Sequence, residues 1–257
     1  MISIRSVQQF VLINSFITFC ATLHHVLFGP SFVGSVIKHG VLYAFISIST
    51  RNKPWINSNI LTSLQTFPTF YFIIGVGIDA ISHIGMEYLA RNTPLIPMYY
   101  WIPYLFVFDI VFDLFHYWTH RVCHSIPFLY RNVHKTHHGT YPIHAAVTFQ
   151  HHPLDLILTN LIPLLLSSFI VHLDPFTVTL LLWYKTMQEI AGHSGKLLKG
   201  SSFIPCIWLS RWLGIELYSH NHDLHHRLPA WNFSKRFSLW DKVFGTFYQE
   251  HNSLERK

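Results

Sequence analysis

The chemistry-bearing residues of this chain are its histidines, 20 of them against 18 lysines plus arginines. "HNHDLHHRLPAWNF", His220 to Phe233, carries four imidazoles in its first seven residues. "HYWTHRVCH" sets His116, His120 and His124 four residues apart. On a helix that spacing puts all three on one face, a stripe able to chelate a metal. "HKTHH" (His134, His137, His138) and "HDLHH" (His222, His225, His226) share the pattern H-x-x-H-H. In each, the first and third histidines lie on one helix side and the middle one lies nearby, so each motif can offer ligands to two adjacent ions. The repetition predicts a dinuclear site.

"HSG" adds His193. A lone histidine on an apolar helix is more often a hydrogen-bonded core residue, but this one follows an apolar hairpin that returns it to the other histidines, which favours a ligand. Glu189, one turn earlier, is open to ligation, to holding an imidazole N–H or to reaching the interface, and the second is favoured. Asp109 and Asp113 either accept the outer N–H of ligating imidazoles or serve as caps and ion pairs. "HHPLD", His151 to Asp155, starts a helix at Pro153, and His152 is left without an assigned role. No catalytic role falls to His24, His25, His39, His83, His144, His172, His220 or His251.

Imidazole suits zinc, iron, copper and nickel, so ligand type alone does not choose the metal. A structural zinc site needs four ligands, usually with cysteine, and here about nine histidines come from four segments. H-E-x-x-H and G-x-S-x-G are both missing from the sequence, which sets aside zinc peptidases and serine hydrolases of those kinds. Metal redox chemistry in a membrane remains.

The membrane follows from composition. Of 257 residues half are hydrophobic and 12% charged, against ~25% charged in soluble domains, and the mean hydropathy is +0.29. No Asp, Glu, Lys or Arg occurs in 6–37, 39–50 or 54–78. Apolar segments at about 7–29, 33–50, 57–86 and 95–116 each match the ~20 residues needed to cross a bilayer. The first is read as a retained anchor, because it holds polar residues and has no small-residue cleavage site. With Arg5 cytosolic, alternation puts Arg51, Lys53, Arg121, Arg131 and Lys135 on the same side, as the positive-inside rule requires. Residues 156–191 read as a membrane hairpin turning at Asp174-Pro175, its arms ~16 residues each, ~24 Å. The net charge of +6 is scattered and accompanies no groove-reading motif, which argues against nucleic acid. Single cysteines Cys20, Cys123 and Cys206 argue against a disulfide framework.

The predicted fold is therefore all-α: an integral membrane helical bundle of four spans plus a membrane hairpin, with a cytosolic histidine-rich metal-binding cap. Residues 1–108 form the membrane anchor, 109–250 the catalytic domain and 251–257 a tail.

"HYWTHRVCH", "LYRNVHKTHH", "QHHPLD", "HSG", "HDLHHRLPAWNF" and "FSLWDKVFGTFY", in that order, resemble the motif series of the sterol desaturase and fatty acid hydroxylase superfamily over residues 109–248. The resemblance implies a multi-pass protein of the endoplasmic reticulum membrane that binds two iron ions on its cytosolic side. It implies O2 as co-substrate and electrons from NAD(P)H through cytochrome b5. It carries metal binding onto His120, His124, His134, His137, His138, His193, His222, His225 and His226. His116 matches only some members, such as the sterol methyl oxidases. Departing from those members, "KLLKG" follows "HSG" here. No fused cytochrome b5 signature is found, so the donor is another protein, for which Arg121, Arg131, Lys135, Lys196, Lys199, Lys235 and Arg236 offer a basic docking surface. The expected activity is hydroxylation or desaturation of a sterol or fatty-acyl lipid. A histidine-rich metal transporter and a catalytically inactive relative are the alternatives, and metal analysis with an oxygen-consumption assay separates the three.

Overall fold

The fold comes from a computed structural model that describes residues 4–57, 67–198 and 202–249. Lys199, His251 and the tail lie outside the described residues, as does 58–66 of the expected third span. Four long helices come first: α1 (Ile4–Leu27), α2 (Phe32–Ser49), α3 (Thr69–Ala90) and α4 (Trp101–Ser125). The expected spans hold in number, with the third and fourth ending later than the hydropathy limits. α4 runs on past 116 because its next turns, though polar in composition, are covered by the protein: Tyr117, His120 and Cys123 are buried. The chain turns between α1 and α2 through Gly29, at φ +54°, and Ser31 caps α2 by accepting the Gly34 N–H at 3.1 Å. A Cβ at Gly34 would stand 2.6 Å from His24 Nε2, so any side chain there would have to displace that ring.

After α4 a helical run, α5 (127–138), changes pitch twice: Pro127–Leu129 is α, Tyr130–His134 is a π-turn and Lys135–His138 is α again. α6 (Pro153–Ile170) likewise contains a π-turn at Ile157–Leu161. Such turns insert one residue and are concentrated at functional sites. α7 (Pro175–Gly192) completes the hairpin. Its start is fixed as the sequence predicts, with Pro175 in the first turn and Asp174 Oδ1 accepting the Phe176 and Thr177 N–H groups at 3.0 and 3.2 Å.

Each hairpin arm has 18 residues, ~27 Å of helix, longer than expected. Among the described residues, α6 joins α1 to α4 as the fifth helix long and apolar enough to cross a membrane. α7 is different: Thr177 to Gln188 is buried without a break, packed by α1, α2 and α3. A helix covered on all sides can carry Lys185, because the protein and not lipid supplies its ion partner. Large side chains exposed along α1, among them Val7, Val11, Phe19 and Val26, mark the lipid-facing side. The observed architecture is an all-helical membrane bundle whose histidine motifs collect at one end.

Three short helices close that end: α8 (Ile207–Trp212), α9 (Ser219–Arg227) and α10 (Leu239–Val243). No strand occurs among the described residues; one antiparallel bridge, Trp55 to Lys196, ties the segment after α2 to the loop behind His193.

Candidate metal centre

Among the described residues, nine imidazoles converge at the closed end in two groups. His120, His124, His134, His138 and His225 form one, and His137, His193, His222 and His226 the other; within each, the candidate ligand atoms lie within 4.8 Å of one another. The H-x-x-H-H motifs split between them as their helical spacing demands. The first sends His134 and His138 to the five-histidine group and His137 to the other. The second sends His225 to the former and His222 with His226 to the latter.

Four of the rings are oriented by bonds made on their far side. His120 Nδ1 donates to Phe233 O at 2.7 Å, His225 Nδ1 to Trp231 O at 2.7 Å, His134 Nδ1 to Asp155 Oδ1 at 2.8 Å and His193 Nδ1 to Glu189 O at 2.8 Å. A neutral imidazole has one donor and one acceptor nitrogen, so each of these rings keeps a lone pair on Nε2. Those Nε2 atoms face inward. His120 Nε2 is 3.1 Å from His134 Nε2, and His222 Nε2 is 2.8 Å from His193 Nε2. His138 and His134 stand 3.1 Å apart, His226 and His222 3.2 Å, and His193 and His137 3.3 Å.

Between His120 and His134 no proton remains to join the two lone pairs, and His225 Nε2 is buried with no hydrogen-bond partner. A cation held between the rings satisfies such an arrangement. Metal–nitrogen bonds of ~2.1 Å put neighbouring ligand nitrogens ~3.0 Å apart at right angles and ~3.4 Å apart at tetrahedral angles, which brackets most of the observed separations. The donor set fits metal ions, one per group.

Burial keeps the imidazoles in the ligating form. It pushes His193 and His225 down to about 3, and it holds His137, His138, His222 and His226 well below the ordinary histidine range. For the last four, repulsion from neighbouring imidazoles adds to burial.

The loop that supplies the orienting carbonyls is held by two buried carboxylates. Asp241 accepts the N–H groups of Phe233 and Ser234 at 2.8 and 2.9 Å and the Thr246 hydroxyl at 2.7 Å. Asp113 accepts the N–H groups of Lys235, Arg236 and Phe237 at 2.7, 2.9 and 3.0 Å. Of the two roles open to Asp109 and Asp113, capping and ion pairing are the ones adopted; Asp109 lies 3.8 Å from Arg236 Nε. Neither touches a ligating imidazole.

His116 belongs to neither group. Its Nδ1 donates to Thr159 O at 2.7 Å, and its ring lies 5.0 Å from that of His120, one helical turn away. The Glu189 carboxylate, favoured as an imidazole acceptor, instead pairs with Lys185 at 2.9 Å and Lys235 at 2.7 Å. Its backbone carbonyl takes the His193 proton. His152 caps α6 by accepting the Leu154 N–H at 3.2 Å. The basic docking surface also contracts. Arg236 is 1% and Lys196 7% exposed, the one drawn to Asp109 and Glu189, the other over the Trp55 ring at 3.4 Å. Arg131 and Lys135 are exposed and Arg121 partly so.

Asp155 is the residue that sequence reasoning missed. Fully buried, it accepts His134 Nδ1 through one oxygen and His151 Nδ1 through the other, both at 2.8 Å, and the His151 ring stacks on His137 at 3.9 Å. It thus touches the surroundings of both groups. Its signal was the four-residue spacing from His151 inside "HHPLD".

The fatty acid hydroxylase family model matches residues 105–246, and the chain belongs to that family, as the motif series implies. Over 151 residues it is 32% identical to a fatty acid hydroxylase of a Lecanicillium species, covering 56% of this chain and 41% of that protein. It is 30% identical over 174 residues to the C-4 methylsterol oxidase of Schizosaccharomyces pombe, 66% of this chain and 55% of the other. It is also 30% identical over 151 residues to sphinganine C4-monooxygenase 1 of Arabidopsis thaliana, 58% and 54% of the two chains. The chain spans about half the length of these relatives. No solved structure matches it.

Proposed function

We propose that this protein is a membrane oxidoreductase that uses O2 and externally supplied electrons to hydroxylate or desaturate a lipid of sterol or fatty-acyl type. The observation that carries the reading is the convergence of nine inward-facing imidazoles from four segments, with outward N–H bonds fixing the tautomer of four of them. Two iron ions are the proposed occupants. His120, His124, His134, His138 and His225 would hold one, and His137, His193, His222 and His226 the other. Bound iron supplies the activation of dioxygen needed to remove hydrogen from an unactivated C–H bond.

The protein's own part is positional. The Asp155 carboxylate and the carbonyls of Glu189, Trp231 and Phe233 lock ring orientation, and buried, neutral imidazoles keep their lone pairs available near neutral pH. His116, held by Thr159, acts behind the ligands and is not one of them. In this reading residues 109–250 carry the catalytic machinery and 1–108 anchor it, with the lipid entering from the bilayer.

The proposed setting is the endoplasmic reticulum membrane with the metal end cytosolic, where NAD(P)H-derived electrons arrive through cytochrome b5. Exposed Arg131 and Lys135 support a basic contact for that donor. The test is metal analysis of anaerobically purified protein combined with lipid-dependent O2 consumption in the presence of a reductant. Two irons per chain and lipid-dependent uptake are expected; a folded, active, metal-free preparation overturns the reading.

A further inference from the structure

The C-terminal segment that carries α8 and α10 has no apolar run long enough to cross a bilayer, and from sequence it belongs to a cap above the membrane. Its contacts set it lower. The rings of Phe203 and Phe237 lie 5.2 and 5.4 Å from that of Phe106 on α4, and Trp240 Nε1 donates to Ile110 O at 3.0 Å. Asp113 takes the backbone N–H groups of Lys235, Arg236 and Phe237. The Phe244 ring lies 5.1 Å from that of Tyr117 and 4.9 Å from that of Trp118. From Phe106 to Trp118 these contacts follow α4 for ~18 Å, at 1.5 Å per residue.

Two helices serve as depth gauges. Counted from Trp101, the start of α4, the ~20 residues that fill a hydrocarbon core of ~30 Å end at His120, and every one of those contacts falls short of it. On α1, the Phe10 ring lies 5.1 Å from that of Trp208 in α8. Phe10 stands ~26 Å of helix from Leu27, the far end of α1, again inside the core thickness. α8 and α10 therefore lie beside α1 and α4 within the depth of the metal-side leaflet.

The outer side of this pair is apolar. Trp212 is 69%, Leu213 54% and Val243 58% exposed, and Lys242 Nζ donates to Gly214 O at 2.6 Å, which joins the ends of α8 and α10 into one edge. Trp212 follows Trp208 by one helical turn and so continues the face that meets Phe10. Val7 and Val11, exposed on either side of Phe10, belong to the lipid-facing side of α1, and the edge extends that side. Arg211 and Lys242 are exposed at its rim, where long stems can lie on apolar surface while the charged heads reach phosphate. Tryptophan is enriched at the same level of a bilayer. A water-soluble partner meets only groups above the lipid heads, and this edge begins below them.

We infer that the α8–α10 edge, formed by Trp212, Leu213 and Val243 with Arg211 and Lys242 at its rim, is immersed in the metal-side leaflet and that phospholipid covers it. The inference rests on α1 and α4 crossing the bilayer and on no assumption about the reaction. The loop whose carbonyls orient His120 and His225 leads directly into α10, so the metal centre and the leaflet share one support.

The experiment measures depth. Nitroxide labels are placed singly at Leu213→Cys and Val243→Cys in a cysteine-free background, with Val11→Cys as the lipid reference and Lys135→Cys as the aqueous one. In phosphatidylcholine nanodiscs, power saturation compares collisions with O2, which concentrates in lipid, and with a water-soluble nickel chelate. Labels at 213 and 243 should favour O2 over the chelate at least threefold more than the label at 135 does, as should the label at 11. A ratio matching that at 135 overturns the inference, and so does shielding from both reagents, which would mean that a second copy or another protein covers the edge. An aqueous ratio at position 11 would defeat the membrane reading of α1 itself and the inference with it. Unsubstituted protein provides the second measurement: a lipid-confined diazirine, photolysed in the same nanodiscs, should leave carbene adducts on Trp212, Leu213 and Val243. Adducts on α1 with none on those three residues would equally overturn the inference.

Discussion

Replacing Asp155 with Asn removes one charge and one acceptor from a carboxylate that serves two imidazoles. The side chain is fully buried, and both N–H···O separations are 2.8 Å. The amide oxygen can accept from His134 or from His151, but the amide NH2 then faces the other ring's N–H, donor against donor in a fully buried site. A hydrogen bond to a charged group contributes roughly 1.5–3 kcal/mol. Losing one, with a ring freed to turn or change tautomer, lowers metal affinity roughly 10- to 100-fold, the range typical of carboxylates behind ligating histidines. Because Asp155 holds His134 directly and His137 through the stacked His151 ring, both ions should weaken. Chelator-competition titration of metal-free protein with Zn2+ measures the change, circular dichroism confirms the fold, and His152→Ala, which alters only a helix cap, is the control. Wild-type affinity in Asp155→Asn would show that the ligands hold their geometry unaided, and the reasoning would be refuted.

Anaerobically purified protein should contain two transition metals per chain, with zinc replacing iron in overexpressed samples because iron lies below zinc in the affinity order; elemental analysis decides. His138→Ala and His226→Ala should each abolish turnover and lower metal content by about one ion, whereas His116→Ala should keep both ions; a fully loaded His138→Ala protein would redraw the ligand set. The metal-free protein should lose stability as pH falls. His193 and His225 sit at about 3 when folded and near ~6.5 when unfolded. Between those values the unfolded chain binds the extra protons, so stability rises with pH across the window and declines from pH ~6.5 toward 3, which thermal melts at stepped pH can follow. Single cysteines at positions 125 and 253, in a cysteine-free background, should both be labelled from the cytosolic side; labelling from opposite sides would contradict the proposed orientation.

The sequence pattern carried the helices and the histidine grouping for a plain reason: period and spacing are local properties. Four-residue spacing along α4 and the two H-x-x-H-H motifs already contain the division into two groups, and Asp174-Pro175 already contains the start of α7. What stayed illegible depends on chain segments meeting at a distance. The carbonyls of Trp231 and Phe233 are acceptors by position, not by residue type. Asp113 reads as a possible imidazole partner on a helix wheel, yet three backbone N–H groups 122 to 124 residues away reach it first. Arg236 and Lys196 count as surface charge in a composition and are buried in the fold.

The Lys38–Asp79 pair has a consequence for biogenesis. Forty-one residues separate the two in sequence, so α2 leaves the ribosome carrying an ammonium whose partner has not yet been made. A lysine at the centre of an inserting helix costs about 2.5–3.5 kcal/mol, and a buried aspartate in α3 incurs a similar penalty alone. Each helix therefore partitions poorly by itself and well beside the other. The membrane-insertion machinery is thus favoured to release α2 and α3 together as a paired unit, and the ion pair fixes their register before α7 enters the space they enclose.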